Sequence, residues 1–144
     1  MPAMSVDRVL ETCLYARDLD AARAFYSDVL GLVVHTESAG RHVFFRLERA
    51  MLLVFNPEST AAKPLIVGGA AVPLHGAHGA GHVAFAVADD EIPSWRGRLA
   101  QRGVAIESEI VWPGGGRSIY FRDPAGNSVE LATPRLWGIG EDER

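Results

Sequence analysis

Alternating and helically spaced hydrophobic positions divide the first part of the chain into a strand, a helix and three strands. The segment Val9–Ala16 alternates weakly between apolar and polar residues, which predicts a strand. Leu19–Leu30 then carries an apolar stripe with helical spacing, and Gly31 ends it. The further predicted strands are Val33–Thr36, Arg41–Leu47 and Met51–Phe55.

The same order of elements returns in the last part of the chain. A strand is predicted at His82–Val87, followed by a helix that opens at Asp89 and ends at Gly103. The remaining predicted strands are Val104–Val111, Arg117–Arg122 and Ser128–Ala132. Between the two parts, residues 56–80 are rich in Pro, Gly and Ala and predict a connection without regular structure.

The two parts also repeat each other in sequence. Residues 41–55 lie over residues 117–131 without a gap, so that Val54 falls on Glu130. A second, shorter repeat aligns Glu11 with His82. Two copies of one supersecondary unit predict a protein made of two similar halves.

Strand parity gathers chemically useful side chains on one surface. Because successive side chains on a strand point to opposite faces, the apolar residues after His82 face the helix and His82 faces away from it. The same argument places Glu11 and Glu130 with His82. An imidazole and two carboxylates can hold Zn, Fe, Ni or Mn and leave positions for water and substrate. The other residues assigned to this surface are Cys13, Tyr15, His42, Phe44, Leu52, Val54, Ser118 and Tyr120.

Several of these residues have more than one interpretation. His82 and Glu130 are either metal ligands or a hydrogen-bonded pair that lines a pocket. Glu11 is a ligand, a general base beside the metal, or an acid paired with an arginine. Cys13 is interpreted as a pocket wall, because no neighbouring residue in sequence would activate its thiol.

Two glycine-rich segments flank this surface. The loop from Trp112, with three glycines, is interpreted as a flexible lip over the pocket, because a strand rather than a phosphate-binding helix follows it. His75 and His78 lie among glycines and are interpreted as linker residues near the mouth of the pocket.

Composition excludes several classes of protein. The chain has 144 residues, a formal net charge of −4 and no basic stripe, so no nucleic-acid partner is expected. No apolar run approaches a membrane span, and no secretory signal is visible, so we expect a cytoplasmic location. Cys13 is the single cysteine, which excludes an intrachain disulfide.

Three segments, RDLDAARAFYSDVLGL, GHVAFAV and SIYFRDPAGNSVEL, resemble the vicinal oxygen chelate superfamily. That superfamily includes glyoxalase I, fosfomycin-resistance enzymes, extradiol dioxygenases and bleomycin-binding proteins. The resemblance implies an α+β fold in which two βαβββ modules curl into a cup with the helices outside. It implies a single domain over residues 1–144, with modules 9–56 and 81–133 and linker 57–80. It also implies a homodimer, since the cup is often completed across two chains.

The resemblance assigns roles to individual positions. His82 and Glu130 match metal ligands, and Glu11 occupies a ligand position that is His in many relatives. Ser118 and Tyr120 resemble a pair that lines the substrate pocket of the fosfomycin enzymes, and Tyr120 joins Glu11 as a catalytic candidate. Val54 stands where glyoxalase I has a fourth ligand. One His with two carboxylates also departs from the two-His, one-carboxylate set of extradiol dioxygenases.

The resulting hypothesis is a metal-dependent lyase, isomerase or dioxygenase that acts on a small oxygen-bearing substrate. Phe44, Val54 and Trp112 provide apolar walls, which favours an aromatic substrate. The alternative is a metal-free protein of the bleomycin-resistance type that sequesters an antibiotic. A third reading is a degenerate fold used only for dimerisation. The sequence selects neither the substrate nor the metal.

Overall fold

The computed structural model describes residues 3–140 and contains two copies of one βαβββ unit. The first unit consists of β1 (Glu11–Tyr15), α1 (Leu19–Asp28), β2 (Val33–Ser38), β3 (His42–Arg46) and β4 (Met51–Phe55). The connection holds α2 (Pro57–Ala62), β5 (Ile66–Val67) and β6 (Ala70–Ala71). The second unit consists of β7 (His82–Ala86), α3 (Ile92–Gln101), β8 (Ser108–Val111), β9 (Arg117–Arg122) and β10 (Ser128–Ala132).

Both units form a four-stranded mixed sheet with the same topology. The strand orders are β1-β4-β3-β2 and β7-β10-β9-β8. In each sheet the first strand runs parallel to the fourth, and the remaining neighbours are antiparallel. The predicted α+β fold with paired βαβββ units is confirmed.

Helix α1 shows how local sequence sets the element boundaries. Asp18 caps its start, with the carboxylate accepting a hydrogen bond from the Ala21 amide at 2.9 Å. Gly31 follows its end with φ +71, a conformation that costs glycine little. The helix buries Phe25 and Tyr26 against the sheets.

The two units share one hydrophobic core. Phe25 of α1 packs against Phe121 of β9, with ring centroids 6.1 Å apart. The Tyr26 hydroxyl donates to the buried Asp123 carboxylate at 2.7 Å, which ties α1 to the β9–β10 turn. Burial and the nearby Asp123 carboxylate raise the pKa of Tyr26 far above its usual range, so the hydroxyl remains a donor. Asp123 also accepts from the backbone of Ala125 and Asn127, which explains the tight turn that the sequence predicts here.

The ungapped comparison of residues 41–55 with residues 117–131 predicts the wrong side-chain orientation in β4. Four residues, 47–50, separate β3 from β4, whereas five, 123–127, separate β9 from β10. A one-residue shift moves every side chain to the other face of a strand. Val54 and Leu52 therefore lie in the core, both nearly inaccessible to solvent, and their predicted place on the concave surface is wrong. Leu53, which pairs with Phe44 as Glu130 pairs with Tyr120, is the first-unit counterpart of Glu130.

Three further elements differ from the sequence prediction. The connection contains α2, whose start is capped by Asn56 and carries Pro57 in its first turn, and the β5–β6 hairpin. Strand β8 begins at Ser108 rather than Val104, because Val104 and Ile106 pack against the core outside the sheet. The tail, for which the sequence pattern predicts no element, forms a 3₁₀ helix at Pro134–Trp137. Within residues 3–140, no helix has the length and apolar character needed to cross a membrane.

Candidate metal centre

His82 and Glu130 meet on the concave face of the second sheet. They lie on the neighbouring parallel strands β7 and β10, where His82 pairs with Ser128 and Glu130 with Ala84. Both side chains have the parity that points away from the core. The Nε2 atom of His82 lies 3.2 Å from Oε1 of Glu130. The imidazole is half exposed, whereas Glu130 is 7% exposed.

The hydrogen bonds of His82 determine what its Nε2 atom can do. Nδ1 lies 3.1 Å from the backbone carbonyl of Ser128, and a carbonyl can only accept, so Nδ1 carries a proton. In the neutral ring, Nε2 then presents a lone pair to the Glu130 carboxylate. Two acceptors that face each other need either a proton or a metal ion between them. Metal-binding histidines usually donate their other N–H to a carbonyl or carboxylate, so this donor set fits a divalent metal.

The second oxygen of Glu130 is bound to the protein. Ser118 donates its hydroxyl to Oε2 at 2.5 Å, and the indole N–H of Trp112 donates to the Ser118 oxygen at 2.9 Å. Tyr120 stands opposite Glu130 on β9, and its ring stacks on that of His82. Burial, together with the Glu130 charge, raises the pKa of Tyr120, so its phenol remains a hydrogen-bond donor.

A cavity of about 420 Å³ opens beside this group. Its wall contains Glu130, Tyr120 and Trp112, together with Leu136 and Trp137 of the C-terminal 3₁₀ helix. The sequence analysis missed Leu136 and Trp137, although their apolar character in a polar tail after Pro134 was a signal. Gly116 has φ +94 and packs so closely that an added Cβ would lie 2.6 Å from the Leu136 Cβ. The loop of residues 112–116, the glycine loop, therefore packs against the 3₁₀ helix Pro134–Trp137 and forms one rim of the cavity.

Glu11 does not join His82 and Glu130 within one chain. Among the described residues, no three His, Cys, Asp or Glu side chains lie close enough to hold a metal ion. Glu11 is exposed at the start of β1, on the same face as Cys13. Partial burial, followed by the Glu11 charge, raises the pKa of the Cys13 thiol, which disfavours the thiolate that a nucleophile would need.

The concave face of the first sheet is aromatic. His42 stacks on Phe44 at a centroid distance of 3.9 Å, and Phe55 packs edge-on against Phe44 and His75. His75 comes from the connection and is held by the Tyr15 hydroxyl, 2.7 Å from its Nδ1. Burial and then the Arg41 charge lower the pKa of His42, which favours a neutral ring. We call this set, Tyr15, His42, Phe44, Phe55 and His75, the aromatic surface.

The histidines of the connection form no joint site with His82. His75 belongs to the aromatic surface, whereas His78 lines a separate groove of about 500 Å³ beside Arg17 and Pro124. The sequence-predicted residues therefore fall into two groups. Ser118, Tyr120, His82 and Glu130 lie together on the second sheet, with Trp112 in the adjoining loop, and Glu11, Cys13, His42 and Phe44 lie on the first.

Known proteins share this fold. A lactoylglutathione lyase from Agrobacterium tumefaciens is 41% identical, with a TM-score of 0.88, and the match covers 94% of this chain and 100% of that one. A glyoxalase/bleomycin resistance protein/dioxygenase from Nocardioides is 25% identical, with a TM-score of 0.69, over 91% of this chain and 85% of that one. A fosfomycin resistance protein from Mesorhizobium loti shares the fold at 21% identity and a TM-score of 0.60, over 93% of this chain and 97% of that one.

The family is also visible in the sequence alone. The search among curated proteins found no match. The family model described as the Glyoxalase/Bleomycin resistance protein/Dioxygenase superfamily, however, matches residues 6–131, which is most of the chain. This match agrees with the repeated βαβββ topology and confirms the resemblance seen in the three sequence segments. The chain therefore belongs to the glyoxalase/bleomycin resistance protein/dioxygenase superfamily.

Proposed function

We propose that this protein is a metal-dependent enzyme that acts on a small oxygen-bearing substrate with an apolar, preferably aromatic, part. The observation that carries the proposal is the geometry of His82. Its Nδ1 donates a hydrogen bond to the Ser128 carbonyl, and its Nε2 lies 3.2 Å from Oε1 of the buried Glu130. This arrangement presents one nitrogen and one oxygen donor to a single cation at the edge of a cavity.

The third donor in this proposal is Glu11 of a second copy of the chain. Glu11 lies on the first sheet, and within one chain it is not grouped with His82 and Glu130. A two-fold dimer that places the first sheet of each copy against the second sheet of the other would build two equivalent sites. Exposed apolar residues suited to such an interface lie in the segment before β1 and in the connection between the units; they are Met4, Val6, Val9, Leu10, Leu65, Ile66, Val67 and Leu74.

Each residue then has a defined task. His82, Glu130 and Glu11 would hold the ion and leave positions for two substrate oxygens or for one oxygen and water. A divalent metal there would polarise a bound oxygen and stabilise negative charge as it develops. Tyr120 remains protonated and would donate a hydrogen bond to the same substrate. If Glu11 is not a ligand, it is the candidate proton acceptor.

The walls of the cup favour an apolar substrate over a multiply charged one. The cavity beside Glu130 is lined by Trp112, Tyr120, Leu136 and Trp137, and its described lining includes no Lys or Arg. In the dimer, the aromatic surface of the other copy would face it. Leu53 occupies the counterpart position of Glu130 and cannot coordinate. At the two positions of the first sheet that correspond to His82 and Glu130, Glu11 is a possible donor and Leu53 is not, which argues against a four-ligand site.

Elemental analysis of the purified protein tests the proposal directly. Protein prepared without a chelator should contain about one divalent ion per chain, and a chelator should remove it. Metal-free protein that also fails to take up Zn, Mn, Ni or Fe would contradict the proposal.

A second candidate function follows from the same contact. The 3.2 Å separation is also that of an ion pair when His82 carries both protons, which suits a metal-free protein that sequesters an aromatic antibiotic. In that case His82→Ala would leave the binding of such a ligand unchanged, and purified protein would contain no metal.

A further inference from the structure

We infer that Ser118 and Trp112 are positioning residues that keep Oε2 of Glu130 in a hydrogen bond, so that the carboxylate offers a metal only Oε1. This inference rests on the proposed function, because it concerns how the ligand is presented.

The direction of the hydrogen bonds is fixed by their chemistry. An indole N–H can only donate, so Ser118 must accept from Trp112, whose Nε1 lies 2.9 Å from the Ser118 oxygen. The single proton of the Ser118 hydroxyl is then free to point to Oε2 of Glu130, 2.5 Å away. Short hydrogen bonds to a carboxylate are among the strong ones. The chain of donors runs one way, from Trp112 through Ser118 to Glu130.

The three residues are held in place by the sheet and by the glycine loop. Ser118 lies on β9, which pairs with β8 and β10 on both sides, and is 1% exposed. Trp112 begins the loop, and its backbone amide donates to the Gly116 carbonyl at 3.0 Å. The Ser118 hydroxyl is thus buried, with its donor and its acceptor both fixed.

This arrangement affects how many positions on a metal remain open. A carboxylate with two free oxygens can bind a cation through both of them. With Oε2 engaged by Ser118, Glu130 occupies one position and leaves another for water or a substrate oxygen. Ser118 would therefore act on the reaction through Glu130.

The test compares Ser118→Ala with the wild-type protein, with Mn²⁺ alone as the probe. Mn²⁺ affinity and the number of exchangeable waters on the bound ion are measured by water-proton relaxation. Ser118→Ala should bind Mn²⁺ about 10-fold more weakly, as for other outer-shell changes, and should lose a bound water because Oε2 is free to coordinate. Ser118→Thr, which keeps the hydroxyl, should restore both values. Trp112→Phe should shift them in the same direction by a smaller amount.

Ser128→Ala is the matched control, because Ser128 contacts His82 through its backbone carbonyl, which the substitution retains. It should behave like the wild type, and thermal melting should show that all variants are folded. If the wild type binds Mn²⁺, and Ser118→Ala has the same affinity and the same number of bound waters, the inference is wrong but the proposed function still stands. A wild type that binds no Mn²⁺ overturns the proposed function and the inference together.

Discussion

Replacement of His82 by alanine is expected to weaken divalent-metal binding by more than about 100-fold, which exceeds the loss typical of an outer-shell change. In the proposed site His82 supplies the nitrogen donor beside Glu130, and no other described His, Cys, Asp or Glu completes a cluster around this pair. Because the imidazole is half exposed and lies outside the core, the free energy of unfolding should change little. Isothermal titration with Zn²⁺ or Mn²⁺ measures the first effect, and urea denaturation measures the second.

His35→Ala is the matched control for this substitution. His35 is an exposed histidine on the edge strand β2, and in the described structure it is not part of the candidate site. Metal binding should be unchanged in His35→Ala. An equal affinity for metal in His82→Ala and the wild type would contradict the assigned role of His82.

Co-expression of two variants that each lack one proposed metal ligand should restore part of the metal binding. In the proposed dimer, each site takes Glu11 from one chain and His82 with Glu130 from the other. Homodimers of Glu11→Ala or of His82→Ala therefore contain no intact site. Co-expression in equal amounts makes about half of the dimers mixed, and each mixed dimer has one intact and one doubly altered site. About one quarter of the wild-type metal content should return.

The control for the mixture is Glu130→Ala co-expressed with His82→Ala. His82 and Glu130 of one site come from the same chain. Every site in the mixed dimer therefore lacks either His82 or Glu130, and no metal binding should return. If Glu11→Ala with His82→Ala likewise holds no more metal than the two separate homodimers, Glu11 does not act across two chains. Full metal content in Glu11→Ala alone would show that Glu11 is not a ligand.

Much of the fold could be predicted from the alternation of apolar residues, and the main error has a simple origin. Parity along β1, β7, β9 and β10 placed Glu11, His82, Ser118, Tyr120 and Glu130 on the sheet faces that point away from the core. In β4 the same argument failed, because the β3–β4 turn is one residue shorter than the β9–β10 turn. The two hairpins look alike in an ungapped comparison, but the shorter turn reverses the faces of Leu53 and Val54.

The candidate site was predictable only as far as single strands determine it. The meeting of His82 and Glu130 depends on the parallel pairing of β7 with β10. The hydrogen bonds from Trp112 through Ser118 depend on how the glycine loop folds back, which no periodicity encodes. The contribution of Leu136 and Trp137 depends on a 3₁₀ helix that packs against Gly116. The separation of Glu11 from His82 depends on how the two sheets are arranged in one chain.

The most direct test is an anomalous-diffraction map from crystals of the protein loaded with Zn²⁺. The account predicts a peak within about 2.0–2.3 Å of His82 Nε2 and Glu130 Oε1, with a carboxylate oxygen of Glu11 of the partner subunit as the third ligand. A loaded crystal that shows no peak there, with Nε2 and Oε1 still in direct contact, would contradict it.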